Sequence, residues 1–202
     1  MELTSTAMLD AALSVAVGLG LASAAGLRVF VPLLAAAVAG ARGMLPLDPA
    51  FWWVTSTPAL VALSTATVIE IVAYYIPWVD HVLDVVATPA AVLAGMVVTA
   101  SVAIDVPPLV KWAAVLIGGG AAGLTQGASV LARLKSAALT GGLANPLVAT
   151  LEVGGAALLT GLALLTPILA LAIAGVAVVL VVRRAGCFVF GRVGRDARER
   201  RP

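Results

Sequence analysis

Long apolar runs separated by short polar breaks dominate the chain, and they predict helices that cross a bilayer. A spanning helix needs about 20 predominantly apolar residues. The windows 85–104 and 112–132 contain no ionisable charge and mark two such helices. The run 136–182 is too long for one helix, and Thr166-Pro167 divides it, because proline lacks the amide donor and clashes with the preceding turn. Pro58 to Ile76 supplies a further segment. Six segments result, at 8–40, 57–76, 88–104, 109–132, 146–165 and 167–183.

The first segment is unusual. As one helix it would extend about 50 Å, well past a ~30 Å hydrocarbon core. Gly26-Leu27-Arg28 and Pro32 lie inside it, so a broken or re-entrant helix is expected. The stretch that follows holds Pro46, Asp48, Pro49 and the run Phe51-Trp52-Trp53, aromatics that suit the headgroup level.

Composition strengthens the membrane reading. The chain is 62% hydrophobic and 11% charged, with a mean hydropathy of +1.12, whereas soluble domains carry about 25% charged residues. The net charge of +2 is unevenly placed: seven of the twelve basic residues fall between Arg183 and Arg201. Such a tail directly after an apolar run reads as a cytoplasmic anchor touching anionic headgroups rather than as a nucleic-acid arm. Six crossings then place the N-terminus inside as well, with a loop at Arg133 and Lys135 on the same side. Ala22-Ser23-Ala24 resembles a cleavage site, but Met1-Glu2-Leu3-Thr4 lacks the basic character of a secretory leader, so the first helix is read as retained. The single cysteine, Cys187, excludes an internal disulfide. The expected organisation is a transmembrane domain over 1–184 and a basic tail over 185–202.

Charge inside the apolar runs points to chemistry. Glu152 is alone between Lys135 and Arg183, Glu70 between Asp48 and Asp80, and Arg28 between Asp10 and Arg42. An ionised group in hydrocarbon costs several kcal/mol, about 2.5–3.5 on insertion scales, so it faces protein or a wet cavity. Both glutamates fall some six residues from the cytoplasmic ends of their helices, roughly 9–10 Å deep by helical rise, which suggests one shared acidic layer. Two carboxylates in a low dielectric repel, a property a proton- or cation-coupled carrier can use. Gln126 and Thr125 offer further oxygens in an apolar helix. The competing reading is structural, with Arg28 and Glu70 simply pairing two helices.

The most distinctive stretch is Tyr74-Tyr75-Ile76-Pro77-Trp78-Val79-Asp80-His81-Val82-Leu83-Asp84. If 81–88 is helical, Asp80 and Asp84 share a face and His81 lies one turn from Asp84. Together they could bind a divalent cation or relay protons; the plainer alternative is a capped interfacial helix. Enzyme signatures such as His-Glu-x-x-His, Gly-x-Ser-x-Gly and the phosphate-cradling glycine loop are absent. No catalytic residue and no cofactor are therefore expected. The glycines at 118–120, 123, 127, 154, 155 and 161 suit close helix packing.

Ala24-Ala25-Gly26-Leu27-Arg28 recurs as Ala121-Ala122-Gly123-Leu124-Thr125. Three helices per half would make 8–104 and 109–183 an inverted repeat, a construction common in transporters.

The run Ala25-Gly26-Leu27-Arg28-Val29-Phe30-Val31-Pro32, then Glu70, the Tyr75 to Asp84 stretch and Thr88-Pro89 together resemble a family of small bacterial integral membrane proteins. That family is known as domain of unknown function 4126. The resemblance spans nearly the whole chain short of the arginine tail, and it implies a membrane protein without implying a substrate. The combined expectation is an all-α polytopic bundle in the bacterial inner membrane. It would be a carrier for a small solute, cation or proton, binding through Arg28, Glu70, Gln126, Glu152, Asp80, His81 and Asp84. Its partners are the lipid bilayer and the solute, with a homo-oligomer compatible and nucleic acid excluded. The alternatives are a non-transporting scaffold and an intramembrane lipid-modifying enzyme.

Overall fold

A computed structural model describes residues 2–76, 79–180 and 183. Pro77, Trp78, Cys187 and the 185–202 tail fall outside this set, as do the side chains of Asp80 and His81. The described chain is all-helical. Its α-helices are α1 (Glu2–Ala25), α2 (Phe30–Ala41), α3 (Thr57–Ala73), α4 (Val79–Val102), α5 (Pro108–Thr140), α6 (Asn145–Leu165) and α7 (Pro167–Leu180), with a 3-10 helix at Pro49–Thr55 before α3. Among the described residues four helices are long and apolar enough to cross a membrane. A fifth span follows if the 3-10 helix and α3, bent by 67°, count together.

Local chemistry sets the boundaries. Asp48 caps the 3-10 helix by accepting from the Ala50 amide at 2.9 Å, and Ser56 accepts from Ala59 to start α3. Prolines open α3, α5 and α6, where the missing amide is not needed. Gly141 and Gly142 end α5 at φ 63° and 90°, the left-handed region that glycine enters without penalty.

The bundle is turned inside out relative to a water-soluble protein. Its interior is built of small residues such as Ala22, Ala25, Ala91, Ala122, Ala156 and Ala163. Its outer face carries bulky ones, with Leu109, Val85 and Leu158 83%, 76% and 63% exposed. An apolar exterior of this extent requires a nonaqueous solvent. Because lipid tails are as apolar as leucine, close contact between small residues must supply the helix packing. A Cβ on Gly95 would lie 2.6 Å from the Ala122 Cβ and 2.8 Å from the Gly118 carbonyl oxygen. Thr99 Oγ1 donates to the Gly95 carbonyl at 2.7 Å.

Contacts fix the directions. Gly18 meets Thr99 and Val102, while Ala25 clusters with Ala91 and Ala94, so α1 runs antiparallel to α4. Gly95 meets Ala122, and Thr99 meets Gly118, so α5 is antiparallel to α4 and parallel to α1. Phe30 packs beside Ala91 and Ala94, whereas Ala36 clusters with Val98, so α2 returns alongside α4.

These directions correct the expected topology. The 8–40 segment is broken at residues 26–29, as the Gly26-Leu27-Arg28 run predicts, but it doubles back as a helical hairpin instead of making one crossing. Glu70 near the end of α3 meets the start of α2, and Ala149 near the start of α6 meets Arg28. Ala170 lies against Gly20 while Ala177 and Val178 line a cleft with Leu27, so α7 runs parallel to α1. With α1 and α2 counted separately, the seven segments alternate, and α1 starts at the end opposite to that reached by α7. Both termini were expected on one side. The two Ala-Ala-Gly-Leu copies therefore run in the same direction, whereas inverted halves need opposite ones. Helix α4 starts at Val79 instead of 88. Helix α5 continues to Thr140, so the anticipated loop at Arg133 and Lys135 is helical.

Candidate functional site

The turn at 26–29 leaves the first backbone amides of α2 without helical partners, and its N-cap residue, Val29, offers no capping side chain. Glu70 of α3 fills that role. Its Oε1 accepts from the Val29 amide at 2.7 Å and its Oε2 from the Phe30 amide at 3.0 Å. A carboxylate here is favoured by the helix dipole as well as by hydrogen bonding. Gly26 makes the turn tight, since any Cβ there would collide with the Ala122 carbonyl and Thr125 of α5.

Arg28 points from the same turn into the bundle and is 1% exposed. Its Nη1 pairs with Glu152 Oε2 at 2.9 Å and donates to the Leu27 carbonyl, and its Nη2 donates to the Ala149 carbonyl at 3.1 Å. Its Nε has no hydrogen-bond partner among the described residues. Glu152 is also bound by Arg133 and by the Ser129 hydroxyl, both on α5. Arg133 reaches further, its Nη1 lying 3.3 Å from Asp84 on α4. Both guanidiniums lie over the Tyr74 ring, 4.1 Å (Arg28) and 3.9 Å (Arg133) from its centroid, a stacking that favours arginine over lysine.

Five elements thus converge: the α1–α2 turn, the end of α3, and helices α4, α5 and α6. Arg28, Glu70, Glu152 and Asp84 belong to one cluster, with Glu70 and Glu152 meeting adjacent residues of one turn. Arg28 pairs with Glu152, not with Glu70 as the simplest pairing suggests. Gln126 is buried one helical turn before Ser129, against the Gly26 turn. Among the described residues no three His, Cys, Asp or Glu side chains converge as metal ligands. Asp80 and His81 occupy the first turn of α4.

Arg133, Ser129 and Tyr74 escape a reading of isolated charges. Arg133 sits two residues from Lys135 at the apparent end of an apolar run and so resembles a loop cation. The available signal is spacing: Gln126, Ser129 and Arg133 recur at i, i+3 and i+7, one face of a helix, and Gly141 marks that helix's true end.

A cleft of about 460 Å³ lies between α1, α5, α6 and α7, with Ser23, Thr125, Ser129 and Glu152 on its polar wall. At the opposite end of the bundle Lys111 Nζ lies 2.5 Å from Asp48 Oδ2, and the Asp48 amide donates to the Ser101 carbonyl. The Lys111 hydrogen bond, aided by the Ala50 amide, holds the Asp48 carboxyl below the usual aspartate range.

No curated protein and no solved structure matches the chain. The family model DUF4126, described as a domain of unknown function, matches residues 15–185, and the chain belongs to that family.

Proposed function

We propose that this multi-pass membrane protein is a carrier for a small solute, cation or proton, with its working site at the Arg28–Glu152 cluster. The observation that supports this most is the coincidence of a helix break with buried charge. The backbone is interrupted at 26–29 where Arg28, Glu70, Arg133 and Glu152 meet, beside a cleft that reaches Glu152. Interrupted helices inside a membrane are tolerated where they are buried in protein or line a cavity, and carriers place their sites there. Arg133, shared between Glu152 and Asp84, gives the cluster a group that can exchange partners as the site opens. The basic tail argues for a cytoplasmic cluster and a bacterial inner-membrane location. With seven alternating segments, α1 would then start outside.

The scaffold reading draws support from a different observation: Glu70 and Glu152 both have partners within the chain, as a structural network would. Proteoliposomes loaded with a pH-reporting dye separate the two. A carrier predicts proton flux that Glu70→Gln and Glu152→Gln abolish while the variants remain folded. Absence of proton, monovalent-cation and amine flux in the parent, with both variants unfolding, favours the scaffold. Turnover of the surrounding lipid would favour an enzyme.

A further inference from the structure

We propose that the cleft between α1, α5, α6 and α7 is a binding site for an amphipathic organic ammonium ion, its head on Glu152 and its apolar body along the cleft. This deepens the carrier reading and rests on it for its consequence, whereas binding itself can be measured alone.

The first argument is the chemistry of the polar wall. Ser23 Oγ donates to the Leu19 carbonyl at 2.9 Å, and Thr125 Oγ1 donates to the Ala121 carbonyl at 2.9 Å. Ser129 donates to Glu152. Each hydroxyl has one proton to give, so all three present only lone pairs, and the ionised carboxylate is acceptor-only. Four acceptor groups and no uncommitted donor favour a ligand that brings N–H groups. Among the described lining residues Glu152 is the one charged group, while the Arg28 and Arg133 guanidiniums that pair with it are not among the lining residues.

The second argument is size and access. About 460 Å³ falls within the ~300–1,000 Å³ of small-molecule sites. The remaining lining, including Leu27, Leu124, Leu151, Leu159 and Val178, is apolar. Leu151 and Leu124 are 68% and 44% exposed, so the cleft opens on the apolar outer face, from which an amphiphile dissolved in lipid can enter sideways.

The third is exchange. An ammonium arriving at Glu152 competes with Arg133, which keeps Asp84 and the Tyr74 ring when it leaves. No buried guanidinium is stranded. The same step moves Arg133 toward α4, linking occupancy of the cleft to the contact between α4 and α5.

The probe is octylammonium, titrated calorimetrically into the full chain in lipid nanodiscs with empty nanodiscs subtracted. Saturable binding is expected for octylammonium and not for octanoate. Glu152→Gln should weaken it at least tenfold. Since that substitution also disturbs the ion pairs, Ala128→Phe combined with Ala177→Phe provides a second variant. It narrows the cleft from α5 and α7 without touching the charges, and it should abolish binding. Octanoate binding as tight as octylammonium, or octylammonium affinity unchanged within twofold in the narrowed cleft, overturns the proposal. Saturable binding without octylammonium flux in proteoliposomes supports the site and removes the carrier reading. Proton flux without octylammonium binding keeps the carrier and overturns the site.

Discussion

Replacing Glu152 with Gln is the most informative single perturbation, because one carboxylate there serves Arg28, Arg133 and the Ser129 hydroxyl. The amide is nearly isosteric and keeps one acceptor oxygen, so packing survives and the change is electrostatic. Removing one partner of a buried ion pair costs about 3–5 kcal/mol, since it leaves uncompensated charge. Here the cost falls toward the lower end, about 3 kcal/mol. Arg28 keeps two backbone carbonyls, and Arg133 keeps Asp84. Arg133→Met in the same background should then cost less than it does alone. A coupling of about 1–3 kcal/mol between the two is expected. Neutral hydrogen bonds between membrane helices average only about 0.6 kcal/mol, so the size of the coupling identifies an ion pair. The assay is unfolding of the detergent-solubilised protein by sodium dodecyl sulfate, followed by tryptophan fluorescence, for the parent, both single variants and the double. Additive effects, or a Glu152→Gln cost below about 0.5 kcal/mol, would refute the view that the cluster is a coupled buried network.

Glu70→Ala removes the cap on α2 and should cost about 1–3 kcal/mol, with amide exchange at Val29 and Phe30 accelerating before that of the α1 interior. Gly95→Ala forces a Cβ against Ala122 and the Gly118 carbonyl and should cost about 1–3 kcal/mol in the same unfolding assay. Gly120→Ala, with open space around its Cβ, should cost nothing. Asp48 has a lowered folded-state pKa, so its contribution is present above the ordinary aspartate value of about 3.9 and is lost as pH falls through the lowered value. Thermal unfolding of Asp48→Asn should lack that acidic decline. In a background lacking Cys187, an impermeant thiol reagent should label Ser5→Cys and Arg183→Cys from opposite sides of a sealed vesicle.

Much of the cluster was legible because charge in an apolar run has few places to go. Arg28, Glu70 and Glu152 stood out by isolation, and proline positions located the starts of α3 and α7. The pairing was not legible: depth alone cannot say that Glu70 caps a backbone while Glu152 binds two guanidiniums. The hairpin was hidden for a related reason. The contact that makes the Gly26 turn tight comes from α5, nearly a hundred positions away, so the local sequence shows the break at Gly26-Leu27-Arg28 and not the reversal of direction. The end of α5 was misplaced because Arg133 and Lys135 look like a loop, although Gly141-Gly142 carried the stop signal.

The pairing of Arg28 with Glu152 also bears on how the protein is made. At synthesis rates of about 5–20 residues per second, the arginine leaves the ribosome roughly 6–25 s before its carboxylate. During that interval α1 and α2 cannot settle with Arg28 in hydrocarbon. The hairpin must wait with its turn at the water interface, reached by the long arginine side chain. Glu70 arrives first and can cap α2, but burial of the turn is completed only when α6 is inserted. Truncated nascent chains ending before α6 should therefore hold an exposed turn at 26–29, and the last long helix acts as the assembly checkpoint for the first.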